Sequence, residues 1–313
     1  MIVILIKKII VFLITILASS IIIFFMLEAL PGDPASFMLG INATEETVFA
    51  LKKELGLTEN IFKRYFFWLI GMITGDFGIS FTYRVKVSEL ILQRSYISIP
   101  LALFTIFLTL IISFPLAIIC VYYENSRISY IFIGSTQIAI ALPNFWLALI
   151  LIIFFGIYMN WFPVGGFPGW EEGFFSGIKS LTLPAFSLAL PQTAILIRII
   201  RTSLLSVLEE DYIKTAKSKG LSEIKVITNH ALKNSLLSIM TIIGLQLSFL
   251  IAGTIIIENI FYLPGIGRLI FQSISQRDLI VVESMIMLLV IFIVFMNFII
   301  DILYAIIDPR LRK

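Results

Sequence analysis

Six apolar stretches dominate this chain, at about 9 to 29, 98 to 122, 130 to 157, 184 to 206, 232 to 257 and 281 to 305. Each can supply the roughly 20 residues that a helix needs to cross the hydrocarbon of a bilayer. A membrane leaves backbone polar groups to be satisfied within the chain, so runs of this length and pattern admit helices and little else. Composition agrees: 59% of the 313 residues are hydrophobic and 14% charged, against about 45–50% and about 25% in soluble domains. The expected fold is an all-α integral membrane protein with six transmembrane helices in a single membrane domain, residues 1–313.

The first stretch follows Lys7 and Lys8 but is too long for a signal-peptide core and lacks a small-residue cleavage site, so it is read as a retained span. Orientation follows from Lys and Arg near the spans, leaving out the long 31–97 segment. With the N-terminus inside, the inner side holds Lys7, Lys8, Arg127, Arg198, Arg201, Lys214, Lys217, Lys219, Lys225, Lys233, Arg310, Arg312 and Lys313, against Lys179, Arg268 and Arg277 outside. Both termini are therefore expected in the cytoplasm.

Chemistry is thin. A lone cysteine, Cys120, excludes an internal disulfide, and with a lone histidine, His230, there can be no Cys/His metal cluster. No G-x-x-x-x-G-K-[ST], H-E-x-x-H or Gly-rich dinucleotide pattern occurs. A Ser/His/Asp arrangement would have to form at His230, in a cytoplasmic insert without an obvious substrate pocket. The chain is expected to be no enzyme, with no cofactor or metal of its own. A secondary transporter usually carries ionisable residues near the midplane, but Glu28, Glu258 and Glu283 fall at outer ends and Asp301 toward an inner end. The span middles hold amides instead: Gln137, Asn144, Gln192, Gln246 and Asn297. Such amides either tie helices together or line a polar path; Gln137, Asn144, Gln192 and Gln246 are the candidates for the path.

Pro143 and Pro191 lie inside the third and fourth stretches, where each removes a donor and tends to kink the helix. Gly244, Ser248 and Ala252 recur every four residues in the fifth, a small-residue face for close helix approach within the chain or against a partner. The extracytoplasmic segment 31–97 holds apparent helices at about 45–55, 60–73 and 85–94, separated by Gly56 and by Gly75-Asp76-Phe77-Gly78. It reads as a small lid or docking platform. Asn160-Trp161-Phe162-Pro163 through Trp170 puts aromatics at interface depth, as an aromatic belt would. A third outer loop, 258–280, begins with a Pro/Gly-broken turn.

The stretch that the spans do not explain is 207–231, with its charged, helix-patterned heart beginning at Glu209. Glu209, Glu210 and Asp211 open a helix, Lys217 and Lys219 close it, and Gly220 stops it, in keeping with the helix dipole and the glycine C-cap. Tyr212 and Ala216 lie four apart on one face, and Ser222 can cap a second helix running through Val226 toward His230 and into the fifth span. Five lysines oppose four acids between Glu209 and Asn234, a near balance that a helix merely resting on anionic lipid would not need.

With these residues in place, the chain resembles, from end to end, the membrane-spanning permease subunit of bacterial ABC importers of the dipeptide/oligopeptide/nickel family. The marks are Leu30-Pro31-Gly32-Asp33-Pro34, Leu55-Gly56-Leu57, Gly75-Asp76-Phe77-Gly78, Leu142-Pro143-Asn144-Phe145-Trp146, Glu210-Asp211-Tyr212, Thr215 through Leu221, His230-Ala231-Leu232-Lys233-Asn234, Leu263-Pro264-Gly265-Ile266-Gly267 and Asp308-Pro309-Arg310. Each is weak alone; their order and spacing are not.

The resemblance implies the type I permease fold in the bacterial cytoplasmic (inner) membrane. It implies four further components: a second homologous permease, two cytoplasmic ATPase subunits that hold ATP and Mg, and an extracytoplasmic binding protein that delivers substrate. Ala216 and Gly220 carry the heart of the so-called EAA loop, which docks on the ATPase; Asp211, Tyr212, Thr215, Leu221, Ile224 and His230 complete the expected docking set. Lys214 replaces the motif's first glutamate, and Ser238 stands where the peptide branch often has proline. Dipeptides or oligopeptides are the expected cargo, with nickel, metal chelates or another small solute as the alternative. The rival of another class is a stand-alone secondary transporter, which leaves 207–231 unexplained.

Overall fold

The computed structural model describes residues 2–29, 34–40 and 43–307. Leu30 to Asp33 and the terminal Asp308-Pro309-Arg310, which belong to two of the marks above, lie outside the described residues. In chain order the helices are α1 Ile2–Glu28, α2 Pro34–Leu39, α3 Glu45–Glu54, α4 Ile61–Thr74, α5 Val87–Tyr122, α6 Arg127–Ala141, α7 Asn144–Leu151, α8 Phe174–Leu208, α9 Asp211–Ser218, α10 Glu223–Lys225, α11 Leu232–Ile260, α12 Ile266–Ser275 and α13 Leu279–Ile307. A π-helical turn, Ile152–Tyr158, prolongs α7, and another, Val226–Ala231, joins α10 to α11.

Among the described residues, five helices are long and apolar enough to cross a membrane: α1, α5, α8, α11 and α13. A bent pair, α6 with α7 and its π-helical extension to Tyr158, which meet at 104°, is the sixth candidate, consistent with six spans. Sequence predicts a kink at Pro143 in the third span; the observed bend is far sharper, and its origin lies in two consecutive extended residues. Leu142 has ψ 124° and Pro143 ψ 139°, since a residue before proline is pushed out of the helical region. Proline alone does not decide the outcome, because Pro100 and Pro115 sit inside α5, and Pro184 and Pro191 inside α8. The partners of α7 matter too: Gly253 on α11 leaves the space in which the Asn144 side chain and Leu188 sit.

The helix expected at 85–94 is instead the first part of α5, which continues to Tyr122; nothing between Val87 and Pro100 breaks it. The loop expected at 258–280 contains α12, whose Leu269, Ile270 and Ser273 are buried along one face. α8 runs into the start of the 207–231 segment, to Leu208.

The chain divides into two compact units, residues 1–98 with 264–298, and residues 99–263 with 299–313. In the first unit, α1 and α4 are joined by Glu28, which accepts a two-pronged hydrogen bond from the Arg64 guanidinium at 2.7 and 2.8 Å, and by Ser20 and the Tyr65 hydroxyl at 2.8 Å. Phe24 packs edge-on to Tyr65 beside them. Asp278, fully buried, accepts hydrogen bonds from the Ser80 hydroxyl at 2.5 Å and the Thr82 N–H at 3.0 Å, fixing the turn before α5 to the start of α13.

The second unit is built around α8, most of whose inner residues are buried, packed against α6, α7 and α11. Its core joins Leu196, Ile197, Ile200 and Leu204 of α8 to Ile213 and Ala216 of α9, and to Val226, Ile227 and Ala231 of the π turn. The small-residue face of α11 is used within the chain at Gly244, where an added Cβ would overlap the Ile300 side chain. Ala252, two turns on, is exposed.

Candidate functional site

The 207–231 segment forms where α8 ends. Glu209 closes α8, and Glu210, with ψ 147°, turns the chain so that α9 starts a new direction at Asp211. Periodicity then sorts the residues. Ile213 and Ala216, three apart on one face, are fully buried and 6% exposed, respectively. Asp211, Lys214, Thr215, Lys217 and Ser218 face outward, and Lys214 pairs with Asp211 at 2.8 Å.

Gly220 stops the helix with φ +79°. That left-handed backbone favours glycine, and the space around a Cβ there is open, with no atom within 4 Å. The constraint at Gly220 is therefore conformational, with free volume in front of it. Ser222 starts α10, as the sequence suggests, through its carbonyl, which accepts from the Val226 N–H at 3.0 Å; its side chain makes no cap bond. The π turn follows, and α11 continues from it.

The expected docking residues separate into two layers. Ala216 belongs to the inner layer and lets α9 approach the π turn. Tyr212, Leu221 and Ile224 form the outer layer, 40%, 38% and 44% exposed, on either side of Gly220. These apolar side chains are held open on a segment whose back is locked into a core. Tyr212 and Ala216 share a helical face less fully than their spacing suggests: the Tyr212 hydroxyl stays at the edge and accepts a hydrogen bond from the Asn234 amide at 2.5 Å. Asp211 and Thr215 are exposed, and His230 is half-buried within the π turn.

Two residues that tie the segment together escape a reading of the sequence. Ile213 is its deepest anchor, and Asn234 links α9 to α11. The signal for Ile213 is its three-residue spacing from Ala216. Asn234 ends one of the marks above, but the sequence does not show its partner, which lies 22 residues away.

The four amides expected along a path are not one constellation. Gln246 is buried, and its amide donates to the Gln192 carbonyl at 2.9 Å. Both line a small cavity of about 20 Å³ with Thr109 and Leu250, room for about one water molecule, beside which the Gln192 Oε1 is buried without a partner. Asn144 begins α7 at the bend, and Gln137 is exposed on α6. Gln192 and Gln246 thus act as interior ties between α8 and α11.

Comparison with known proteins spans nearly the whole chain. A family model described as binding-protein-dependent transport system inner membrane component matches residues 113–313, and one for the N-terminal part of such membrane components matches residues 1–102. An oligopeptide transport system permease protein of Bacillus subtilis (strain 168) is 38% identical over 299 residues, 95% of each chain. A Brucella abortus (strain 2308) protein, assigned by name to a peptide transport system permease, is 38% identical over 296 residues, 95% of this chain and 94% of that protein. A glutathione transport system permease protein of Escherichia coli (strain K12) is 30% identical over 298 residues, 95% of each.

Proposed function

This chain belongs to the family of binding-protein-dependent transport system inner membrane components, and from that premise we propose that it forms half of the translocation path of an ATP-driven importer of dipeptides or oligopeptides. It is a multi-pass protein of the inner membrane and a permease subunit. The names of its relatives support the peptide cargo: peptide and oligopeptide for two, and a tripeptide, glutathione, for the third. The chain itself breaks no bond in the substrate. A second homologous permease completes the path, two cytoplasmic ATPase subunits bind and hydrolyse ATP with Mg, and an extracytoplasmic binding protein brings the cargo.

The observation that carries the coupling is the two-layered segment Asp211 to Ala231. Its inner layer, Ile213, Ala216, Val226 and Ile227, is part of the core of α8. Its outer layer, Tyr212, Leu221 and Ile224, is open. Closure of the ATPase subunits against the outer layer moves α8 and α11 as one body, because the inner layer cannot yield without opening a core. Asp211, Thr215 and Gly220 complete the docking face, and His230 packs behind it.

Gly220 supplies the test. Gly220→Asn keeps a residue that tolerates the left-handed backbone, whereas Gly220→Trp fills the open space before it. The ATPase subunits should co-purify with the wild type and with G220N, and should be lost from G220W along with uptake. ATPase chains that never co-purify, together with intact uptake in G220W, sink the docking reading. Uptake that persists after ATP depletion with ion gradients kept points to a secondary transporter instead.

A further inference from the structure

A groove of about 680 Å³ runs along α8 in the second unit, lined by Arg198, Thr202 and Ser206 on α8, Asn234 and Ser238 on α11 and Ile140 on α6. Its α8 wall extends from Ile195 to Val207, roughly 18 Å at the helical rise per residue, from the middle of the span to its cytoplasmic end. Wall residues recur three and four apart, so they form one stripe. The stripe is mixed: Ile195, Ile199 and Val207 alternate with one cation, Arg198, and the hydroxyls of Thr202, Ser203 and Ser206, and α11 adds an amide and a hydroxyl across the groove.

Arg198 is the charge in this groove. Its side chain is exposed, and among the described residues no acid pairs with it. One turn further on, Arg201 lies 3.6 Å from Glu124, in the cytoplasmic turn between α5 and α6. Arg201 therefore marks the level of the cytoplasmic boundary, and Arg198 lies about 4.5 Å closer to the membrane centre. What sets Arg198 apart from a cation that simply reaches the interface is the groove it opens into, beside the hydroxyls of Thr202 and Ser206. Asn234, at the groove's cytoplasmic mouth, also donates to Tyr212 of α9, so the mouth is tied directly to the segment proposed to meet the ATPase.

We propose that Arg198 is a specificity-determining residue of the translocation path, whose guanidinium receives a carboxylate of the peptide as it passes through this groove toward the cytoplasm. The inference rests on the peptide-permease reading above. Guanidinium presents a planar fork that matches a carboxylate with two parallel hydrogen bonds. Thr202, Ser206, Asn234 and Ser238 offer exchangeable partners for peptide amides beside it. A lipid phosphate is the poorer occupant, because headgroups belong at the level of Arg201 and Glu124, a turn further out. Because the site is open and rests on a single cation, it holds cargo weakly enough to release it, as conduction requires.

The test uses the complete transporter, with partner permease, ATPases and binding protein, reconstituted in liposomes. Uptake of a tripeptide and of its C-terminal amide is measured, each corrected for loading of the binding protein, and expressed as a ratio of free acid to amide. In R198Q the ratio should fall about tenfold, the effect of one lost charge-assisted pair, and in R198K it should fall between R198Q and wild type, because lysine keeps the charge and loses the planar fork. The ratio is insensitive to how much transporter folds. An R198Q ratio equal to that of wild type overturns the inference, whether the guanidinium then serves a lipid phosphate or the partner subunit. A wild-type complex that moves neither peptide overturns the peptide reading itself, and this inference with it.

Discussion

Ala216 and Gly220 stand four residues apart in the same motif and do different physical jobs. Ala216 is small because something must come close behind it, and Gly220 is glycine because of its backbone angle, with empty space in front. Both are visible in the sequence as residue types, but only the layers around them show which side each serves. Asp278 is not visible there as a site, although an acid immediately before an apolar run is an N-cap signature. Its carboxylate accepts from Ser80 and Thr82, 198 and 196 residues away, and pattern reading has no access to that separation. Asp278→Ala leaves the buried Ser80 hydroxyl without its acceptor, at about 1–3 kcal/mol. The thermal midpoint of the purified protein in detergent should drop, with D278N between alanine and wild type because the amide retains one acceptor oxygen. A midpoint equal to wild type in D278A would mean that water replaces the carboxylate.

The spans are legible because length and apolarity are local properties, and the structure places helices over all six. What local reading misses is how elements begin and end. Pro143 resembles Pro100, Pro115, Pro184 and Pro191 in sequence, yet of these five only Pro143 stands at a 104° bend. The fate of each proline depends on what the following residues pack against, and for α7 this is the pocket beside Gly253 and Leu188. Likewise, α12 looks like a loop in sequence because its start, Gly265-Ile266-Gly267, reads as a turn, while its buried face becomes periodic only from Leu269. Pro143→Ala restores a donor and frees Leu142, favouring a straight helix by up to about 3 kcal/mol. That gain competes with the packing of α7, so the bend should loosen. A cysteine pair introduced by Asn144→Cys and Gly253→Cys reports it directly: crosslinking should be efficient with Pro143 and clearly weaker in P143A. Equal yields would show that packing alone holds the bend.

At the scale of the molecule, the question is how a cytoplasmic event reaches a membrane span. The second unit answers with continuity: Ile213 and Ala216 of α9, Ile200 and Leu204 of α8, and Ile227 of the π turn share one core. No long linker intervenes, since Glu209 and Glu210 are the only residues between α8 and α9. The proposed docking surface and the core behind it are thus separable by mutation. Ile213→Ala deletes the deepest anchor while leaving Tyr212, Leu221, Ile224 and Gly220 on the outside, and a truncation of this kind in a core costs about 2–5 kcal/mol. The ATPase subunits should still co-purify with I213A, but stimulation of ATP hydrolysis by loaded binding protein should fall severalfold, because ATPase closure is absorbed by a loosened core. Tyr212→Ala makes the opposite cut: it removes an outer-layer contact and the tie to Asn234, and should weaken co-purification itself. If I213A keeps full stimulation, the signal does not travel through this core and must pass along the backbone of the π turn into α11.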